Sequence, residues 1–219
     1  MIYLEETFNL FPAHPENLDK FIGIAQERLV PACERLGARL IAAWTSNVEW
    51  FCQVTQIMEF EDIEDLKKFR VKTGDDIGWG EYMAQLEEIA PERRSRLLEP
   101  LGPIHPETLH TAIEASKKSP IKVYGLATLE VAPNKMTQFI QGFELGIKAK
   151  SPISALIIAA WRPIGGSPNE VIDLWKSFLP FQGYQPADEM SKQFFRPLRM
   201  VAPKEHYRGL TMLPYSPLK

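Results

Sequence analysis

Two nearly identical apolar pentapeptides constrain the fold of this chain most strongly. LIAAW occupies residues 40–44, and IIAAW occupies residues 157–161, 117 positions later. A strand with one face in water alternates apolar and polar side chains, whereas these stretches have no polar side chain on either face. We therefore expect both faces of both strands to be buried.

Further matches between the two halves fall in the same order along the chain. Their offset decreases from 121 to 103 positions, which indicates shorter connections in the second half. The matched pairs are Tyr3 and Tyr124, Thr7 and Thr128, Pro12 and Pro133, Val54 and Val171, and Arg96 and Arg199. An ordered internal repeat predicts a duplicated unit. We predict a first unit over residues 1–101, a linker with a short helix over 102–120, and a second, shortened unit over 121–219.

The apolar patterns in each half predict a ferredoxin-like β-α-β-β-α-β unit. In the first half we predict strands at 2–10, 40–45, 52–60 and 95–99, and helices at 15–37, 62–72 and 78–90. In the second half we predict strands at 122–131, 155–162 and 170–176, a helix at 134–148 and at most a short helix near 187–194. The predicted fold class is α+β, with tandem ferredoxin-like repeats whose antiparallel sheets pack face to face within one chain or curl into one barrel.

Composition excludes several classes of function. A net charge of −3 and a pI near 5.9 give no general attraction to nucleic acid or anionic lipid. We interpret the short basic run of Arg93, Arg94 and Arg96 as a solvated helix end. Because neither a leader-like segment nor a run of about 18 apolar residues occurs, we predict no membrane span and a cytoplasmic chain starting near residue 1. The spacing of Cys33 and Cys52 predicts reduced thiols.

Short stretches in the first half carry a family resemblance. They are MIY at 1–3, the tryptophan of AAW, QVTQIMEFED at 53–62, Asp76, Trp79 and Tyr82 within DIGWGEY, and SRLLEP at 95–100. In this order they resemble the NIPSNAP family, a branch of the dimeric α+β barrel proteins. Together with the internal repeat, the resemblance implies two half-barrels joined in one chain. The chain departs from the family in its third strand, where Gln56 and Met58 replace a common His and Trp, and in its first strand, where the Glu–Arg pair is displaced.

Glu6 is the first candidate for a site inside such a barrel. Leu4, Glu6 and Phe8 share one face of the first strand. In an apolar lining Glu6 would have a raised pKa and could act as a general acid or base. The alternative is that this face points to solvent near a sheet edge. Gln56 and Asp173 correspond in the repeat, and they either face the same cavity or are polar residues at strand edges.

Aromatic and basic residues complete the candidate ligand site. Trp44 and Trp161, which end the two pentapeptides, either line the binding site of an aromatic ligand or belong to the core. Arg96 and Arg199, joined by Arg162, either bind a carboxylate or form surface salt bridges.

Motifs for metals and cofactors are missing from the sequence. Glu107 and His110 are three residues apart on a predicted helix with His105 nearby, which falls short of a ligand set. GxxxxGK[ST], GxGxxG, GxSxG and HExxH do not occur. We therefore predict neither a metal nor a cofactor.

Two functions of different classes agree with these observations. The first is a barrel that binds a small hydrophobic or aromatic ligand, with cofactor-independent proton transfer or oxygenation carried by Glu6, Gln56 and Asp173. The second is a non-catalytic interaction protein of the trafficking or signalling type. An enclosed pocket that exposes Glu6 or Asp173 favours the first. A homodimer would cover the apolar surface that we expect around Phe178, Phe181, Phe194 and Phe195.

Overall fold

The computed structural model describes residues 1–150, 154–177 and 189–219. The chain divides into two compact units. The first consists of Met1–Leu98 and Thr211–Lys219, and the second consists of Glu99–Leu210. The C-terminal segment therefore belongs to the same unit as the N-terminal strand.

The strands of the described residues form one antiparallel barrel. They are β1 (Ile2–Asn9), β2 (Arg39–Ser46), β3 (Gln53–Phe60), β4 (Glu92–Pro100), β5 (Tyr124–Glu130), β6 (Ile157–Ile164), β7 (Glu170–Trp175) and β8 (Lys204–Met212). Hydrogen bonding joins them into a closed barrel in the order β1-β3-β2-β8-β5-β7-β6-β4. The predicted α+β fold, with its antiparallel sheets curled into a barrel, is confirmed.

The helices of the first unit follow the predicted positions closely. They are α1 (Asn17–Ile24), α2 (Val30–Leu36), α3 (Ile63–Asp75) and α4 (Ile77–Ile89). Ala25–Leu29 between α1 and α2 form a π-helical turn, in which Val30 N–H bonds to the carbonyl of Ala25. Pro31 follows directly and has no N–H to continue the ladder. The single helix predicted over 15–37 is therefore interrupted beside this proline.

Two aspartates begin the helices α3 and α4. The Asp62 side chain accepts hydrogen bonds from the backbone N–H groups of Glu64 and Asp65. Asp76 accepts one from Trp79 N–H at 2.7 Å and also pairs with Arg35. Each carboxylate satisfies N–H groups that the helix cannot bond itself. The ED and DIGW stretches of the family resemblance thus have a structural role as helix caps.

Replacing Gly37 by alanine should lower the free energy of unfolding by about 1 kcal/mol. Gly37 ends α2 with φ 87°, a left-handed conformation that a Cβ disfavours. Urea denaturation measures the change. Gly37→Asn is the matched control, because asparagine tolerates this conformation and should cost clearly less. Equal losses in both variants would contradict the backbone explanation.

The second unit has a longer final helix than the sequence predicts. Its helices are α5 (Pro106–Lys118), α6 (Met136–Lys148) and α7 (Glu189–Val201). The short helix predicted near 187–194 is too short at its C-terminal end, because α7 continues through Pro197 to Val201. The predicted match of Arg96 with Arg199 is also wrong, since Arg199 lies on α7 whereas Arg96 lies on β4.

A β-bulge interrupts both copies of the apolar pentapeptide. In β2 the register shifts between Leu40 and Ala42, and in β6 it shifts between Ile157 and Ala159. All residues of 41–44 and 157–161 are buried, whereas Leu40 is only half-buried, so the expected burial is confirmed except at Leu40. The bulge places Leu40 and Ala43, three residues apart, on the same side of β2.

None of the helices in the described ranges combines the length and the apolar character needed to cross a bilayer.

Candidate functional site

The helix-facing side of the first unit's strands carries Glu6. Leu4 and Phe8 share this side of β1 by alternation, and both belong to the core formed with the helices. The ring centroids of Phe8 and Phe21 on α1 are 5.2 Å apart. The prediction that Leu4, Glu6 and Phe8 line a cavity between two sheets is therefore wrong, because the helices cover this side. The alternative of a solvent-facing edge is wrong for the same reason.

Glu6 is a buried carboxyl, and one of its two oxygens has no hydrogen-bond partner among the described residues. It is 1 % exposed. Its Oε1 accepts a hydrogen bond from Arg93 Nη2, whereas Oε2 is buried and has no partner among the described residues. Burial raises the pKa of Glu6 above its ordinary value, and this desolvation outweighs the attraction of Arg93 and Arg70. Such a group can exchange a proton with a bound molecule.

Gln56 stands directly opposite Glu6 on β3 and joins two phenols. Its Nε2 donates to the Tyr215 hydroxyl at 2.9 Å and lies 3.4 Å from the Tyr82 hydroxyl. Burial raises the pKa of Tyr82 and that of Tyr215 well above the ordinary range, so both phenols are neutral. Gln56 was predicted as a site residue, whereas sequence reasoning did not assign Tyr82 or Tyr215 to the site.

Arg93 is a site residue that the sequence analysis misassigned. The run Arg93, Arg94 and Arg96 lies on β4, so its interpretation as a helix end is wrong. The side chain of Arg93 is 38 % exposed and reaches from the surface to Glu6. Its guanidinium also lies 5.7 Å from the ring centroid of Phe8. Alternation along β4 could have placed Arg93 on the opposite side from Arg94 and Arg96.

Cys33 on α2 lies close enough to Glu6 to be influenced by its charge. Burial, with a smaller contribution from Glu6, raises the pKa of the Cys33 thiol to about 12. The thiol is therefore neutral, and its Sγ lies 3.9 Å from Met58 Sδ. The π-helical turn of residues 25–29 belongs to the same helical cover, and turns of this kind are frequent at functional sites.

The second unit also has a buried carboxyl, that of Asp173 on β7. The strand β7 corresponds to β3, which carries Gln56 in the first unit, and not to β1, which carries Glu6. Ala127 on β5 lies opposite Asp173 on β7, as Glu6 lies opposite Gln56 in the first unit. Trp175 Nε1 donates to Asp173 Oδ1 at 3.1 Å. Burial raises the pKa of Asp173 to about 8. Asp173 is therefore largely protonated at neutral pH, and Ala127 belongs to the core with α6 and α7.

The two tryptophans predicted for the site are buried in their strands. Trp44 is buried on the opposite side of β2 from Ala43, and its Nε1 lacks a partner in the described part of the chain. Trp161 is also fully buried.

The predicted arginine group is not assembled in either unit. Arg96 Nε donates to Glu5 Oε2 at 3.1 Å on the other side of β1 from Glu6. The guanidinium of Arg199 lies 4.3 Å from the ring centroid of Phe195, and Arg162 pairs with Glu99.

His105 has a local structural role. His105 Nδ1 accepts the Glu107 N–H at 3.3 Å and begins α5. No group of three or more His, Cys, Asp or Glu side chains within residues 1–150, 154–177 and 189–219 could hold a metal ion.

Two of the four phenylalanines that were expected to form an apolar surface in the second unit are covered. Phe194 and Phe195 on α7 are buried, and the Phe194 ring centroid lies 6.1 Å from that of Phe143 on α6. These two residues therefore give no reason for a homodimer. Phe178 and Phe181 lie outside the described residues.

Comparison with known proteins identifies the architecture. No protein-family model matches the chain, and no curated protein sequence matches it. A candidate monooxygenase from Lactobacillus acidophilus is similar over 96 % of this chain and 93 % of its own, with 11 % identity and a TM-score of 0.62. This chain has the α+β barrel fold.

Two further solved structures are similar to the barrel. An anthrone oxidase-like protein is similar over 96 % of this chain and 90 % of its own, with 16 % identity and a TM-score of 0.50. A NIPSNAP domain protein from Burkholderia xenovorans is similar over 47 % of this chain and 96 % of its own, with 18 % identity and a TM-score of 0.41. At 16 % identity the likeness to the anthrone oxidase-like protein concerns the fold alone.

Proposed function

We propose that the first unit binds a small, largely apolar molecule between its strands and helices, and that Glu6 moves a proton on that molecule. The observation that carries this proposal is Glu6 Oε2, a buried carboxyl oxygen without a partner among the described residues. A buried polar atom of this kind costs free energy unless a bound molecule satisfies it. The raised pKa of Glu6 brings its proton exchange closer to neutral pH.

The Arg93 side chain provides an access route to the site and a positive charge beside Glu6. Its exposed part contacts solvent, while its Nη2 donates to Glu6 Oε1. A ligand that displaces this side chain reaches the carboxyl. When Glu6 accepts a proton from an acidic C–H or O–H of the ligand, the electron pair stays on the ligand, and the guanidinium pairs with the anion formed.

The proposed substrate class is an aromatic ketone or phenol that forms a stabilised anion. The neutral phenols of Tyr82 and Tyr215 contact the amide of Gln56, which lies opposite Glu6 on the neighbouring strand. Both phenols can orient a carbonyl or hydroxyl oxygen of the ligand. An anion of this type can react with dioxygen. The similar fold of an anthrone oxidase-like protein supports this class, since anthrone is an aromatic ketone. Asp173 of the second unit stays a second candidate for proton transfer.

Glu6→Gln should reduce the turnover of such a substrate by about 100-fold or more. Anthrone is the probe, since anthrone and dioxygen give anthraquinone and water without a further reductant. Absorbance follows the reaction, and equilibrium dialysis under nitrogen measures binding separately. Because Glu6 must be ionised to accept a proton, the wild-type rate should rise with pH through its raised pKa.

Glu5→Gln is the matched control for this experiment. Glu5 is the preceding residue on β1, is also buried, and pairs with Arg96 of β4 on the other side of the strand. The Glu5 variant should keep the wild-type rate. A wild-type protein that neither binds nor oxidises anthrone contradicts the proposal and favours an interaction protein. Equal losses in both variants contradict the role of Glu6.

A further inference from the structure

A groove in the second unit lies along one side of α5. It encloses about 510 Å³, a volume typical of small-molecule sites. Thr108, Thr111 and Ala115, at helical spacing on α5, form one wall together with Ser119, which directly follows the helix. The distance from residue 108 to residue 119 is roughly 16 Å along the helix. The groove is therefore long enough for a molecule of two or three fused or linked rings.

The floor of the groove combines apolar and hydroxyl groups. Ala112, Ser116 and Tyr124 are buried there. The Tyr124 hydroxyl shares a hydrogen bond with Ser116, whose Oγ also donates to the Ile113 carbonyl at 2.8 Å. Burial raises the pKa of Tyr124 to about 12, so the phenol is neutral. A ligand on this floor meets a mostly apolar surface with two hydroxyls, those of Ser116 and Tyr124.

The charged residues of the groove are a lysine and a glutamate. Lys176 directly follows Trp175, which pairs with Gly125 beside Tyr124, so the backbone of Lys176 lies near the Tyr124 end of the groove. Glu107 lies in the first turn of α5, toward the opposite end of the helix. An anionic group is attracted to the Lys176 end and repelled at the Glu107 end. The two charges therefore favour one orientation of a ligand with a single negative charge.

We propose that this groove is a second binding site, which takes a small monoanionic molecule with an apolar aromatic body. The apolar body lies on Ala112, Ala115 and Ile121, and the anionic group pairs with Lys176. All of these residues belong to the second unit, and none belongs to the Glu6 site. The proposal therefore stands or falls separately from the proposed function.

Two dyes that differ in charge test the site. 8-Anilinonaphthalene-1-sulfonate carries one sulfonate, and N-phenyl-1-naphthylamine has the same rings without it. Fluorescence titration of the intact chain should show saturable binding of the sulfonate dye. Lys176→Gln should weaken its binding about three- to tenfold and leave the neutral dye unchanged. Lys118→Gln, at the end of α5 but outside the groove, is the control and should change neither dye.

A bulky side chain in the wall should block both dyes. Ala115→Trp and Thr111→Trp place an indole in the groove from exposed helix positions, and each should weaken binding about tenfold or more. Circular dichroism verifies folding, and two separate variants keep the test decisive if one fails to fold. Unchanged affinity for both dyes in a folded tryptophan variant would overturn the proposal. Unchanged sulfonate binding in Lys176→Gln would overturn the assigned ligand charge.

Discussion

Replacing Asp173 by asparagine should remove a large pH dependence from the stability of this protein. Between pH 5 and pH 8 the free energy of unfolding of the variant, relative to that of the wild type, should rise by roughly 4 kcal/mol. Urea denaturation at closely spaced pH values measures this difference. The amide keeps an acceptor for Trp175 Nε1, so the local geometry is conserved.

The direction follows from the raised pKa of the buried carboxyl. Asp173 titrates at about 8 when folded, against an ordinary value of 3.8. Well below pH 3.8 Asp173 is protonated in both the folded and the unfolded state, so its ionisation does not lower the free energy of unfolding. Above that pH the unfolded chain releases the proton and the folded chain keeps it, so the wild type loses stability until the pH passes about 8. Asparagine cannot ionise and escapes this loss.

Asp75→Asn is the control, because Asp75 is an exposed aspartate at the end of α3. Its pH profile should follow that of the wild type. Any contribution of Glu6 is shared by all three proteins and cancels in the differences. Parallel profiles for the wild type and Asp173→Asn would contradict a buried, proton-retaining Asp173.

Replacing Gly146 by alanine should destabilise the protein by about 2–3 kcal/mol, although alanine is the better helix former. A Cβ at this position of α6 would lie 1.9 Å from Cδ2 of Phe194 on α7. The Phe194 ring cannot move away freely, because it packs against Phe143 and Phe195 in a buried cluster. The clash therefore separates α6 from α7 or forces strained rotamers. Chemical denaturation measures the loss.

Gly23→Ala provides the matched control. Gly23 lies inside α1, and an added Cβ there has no atom within 4 Å. Alanine should therefore stabilise the protein by about 0.5–1 kcal/mol through helix propensity alone. Phe194→Leu should recover part of the loss when it is combined with Gly146→Ala. Destabilisation that persists fully in this double variant would point to a cause other than the clash.

The order of strands and helices could be predicted from the sequence because periodicity is local. The pentapeptides at 40–44 and 157–161 have no polar side chain, and the burial of all their residues except Leu40 followed directly. Gly37 and Pro31 also have local effects, since Gly37 ends α2 and Pro31 lies beside the π-helical turn. The bulge at the same point of both pentapeptides was not predicted, because apolar letters do not show which residue is left unpaired.

The candidate site depended on contacts between distant residues. Glu6 and Gln56 were found in the sequence as polar residues in apolar strands. Arg93 lies 87 positions from Glu6, and Tyr215 lies 159 positions from Gln56, so no local pattern connects them.

The sequence by itself determined the fold class and the presence of carboxyls within buried strands. Alternation assigns residues to the same side of a strand, but it does not say what covers that side. Only the tertiary structure decided that helices cover Glu6, since this depends on which surfaces pack together. It also decided the protonation of Asp173, because desolvation is a property of the surrounding atoms and not of the residue.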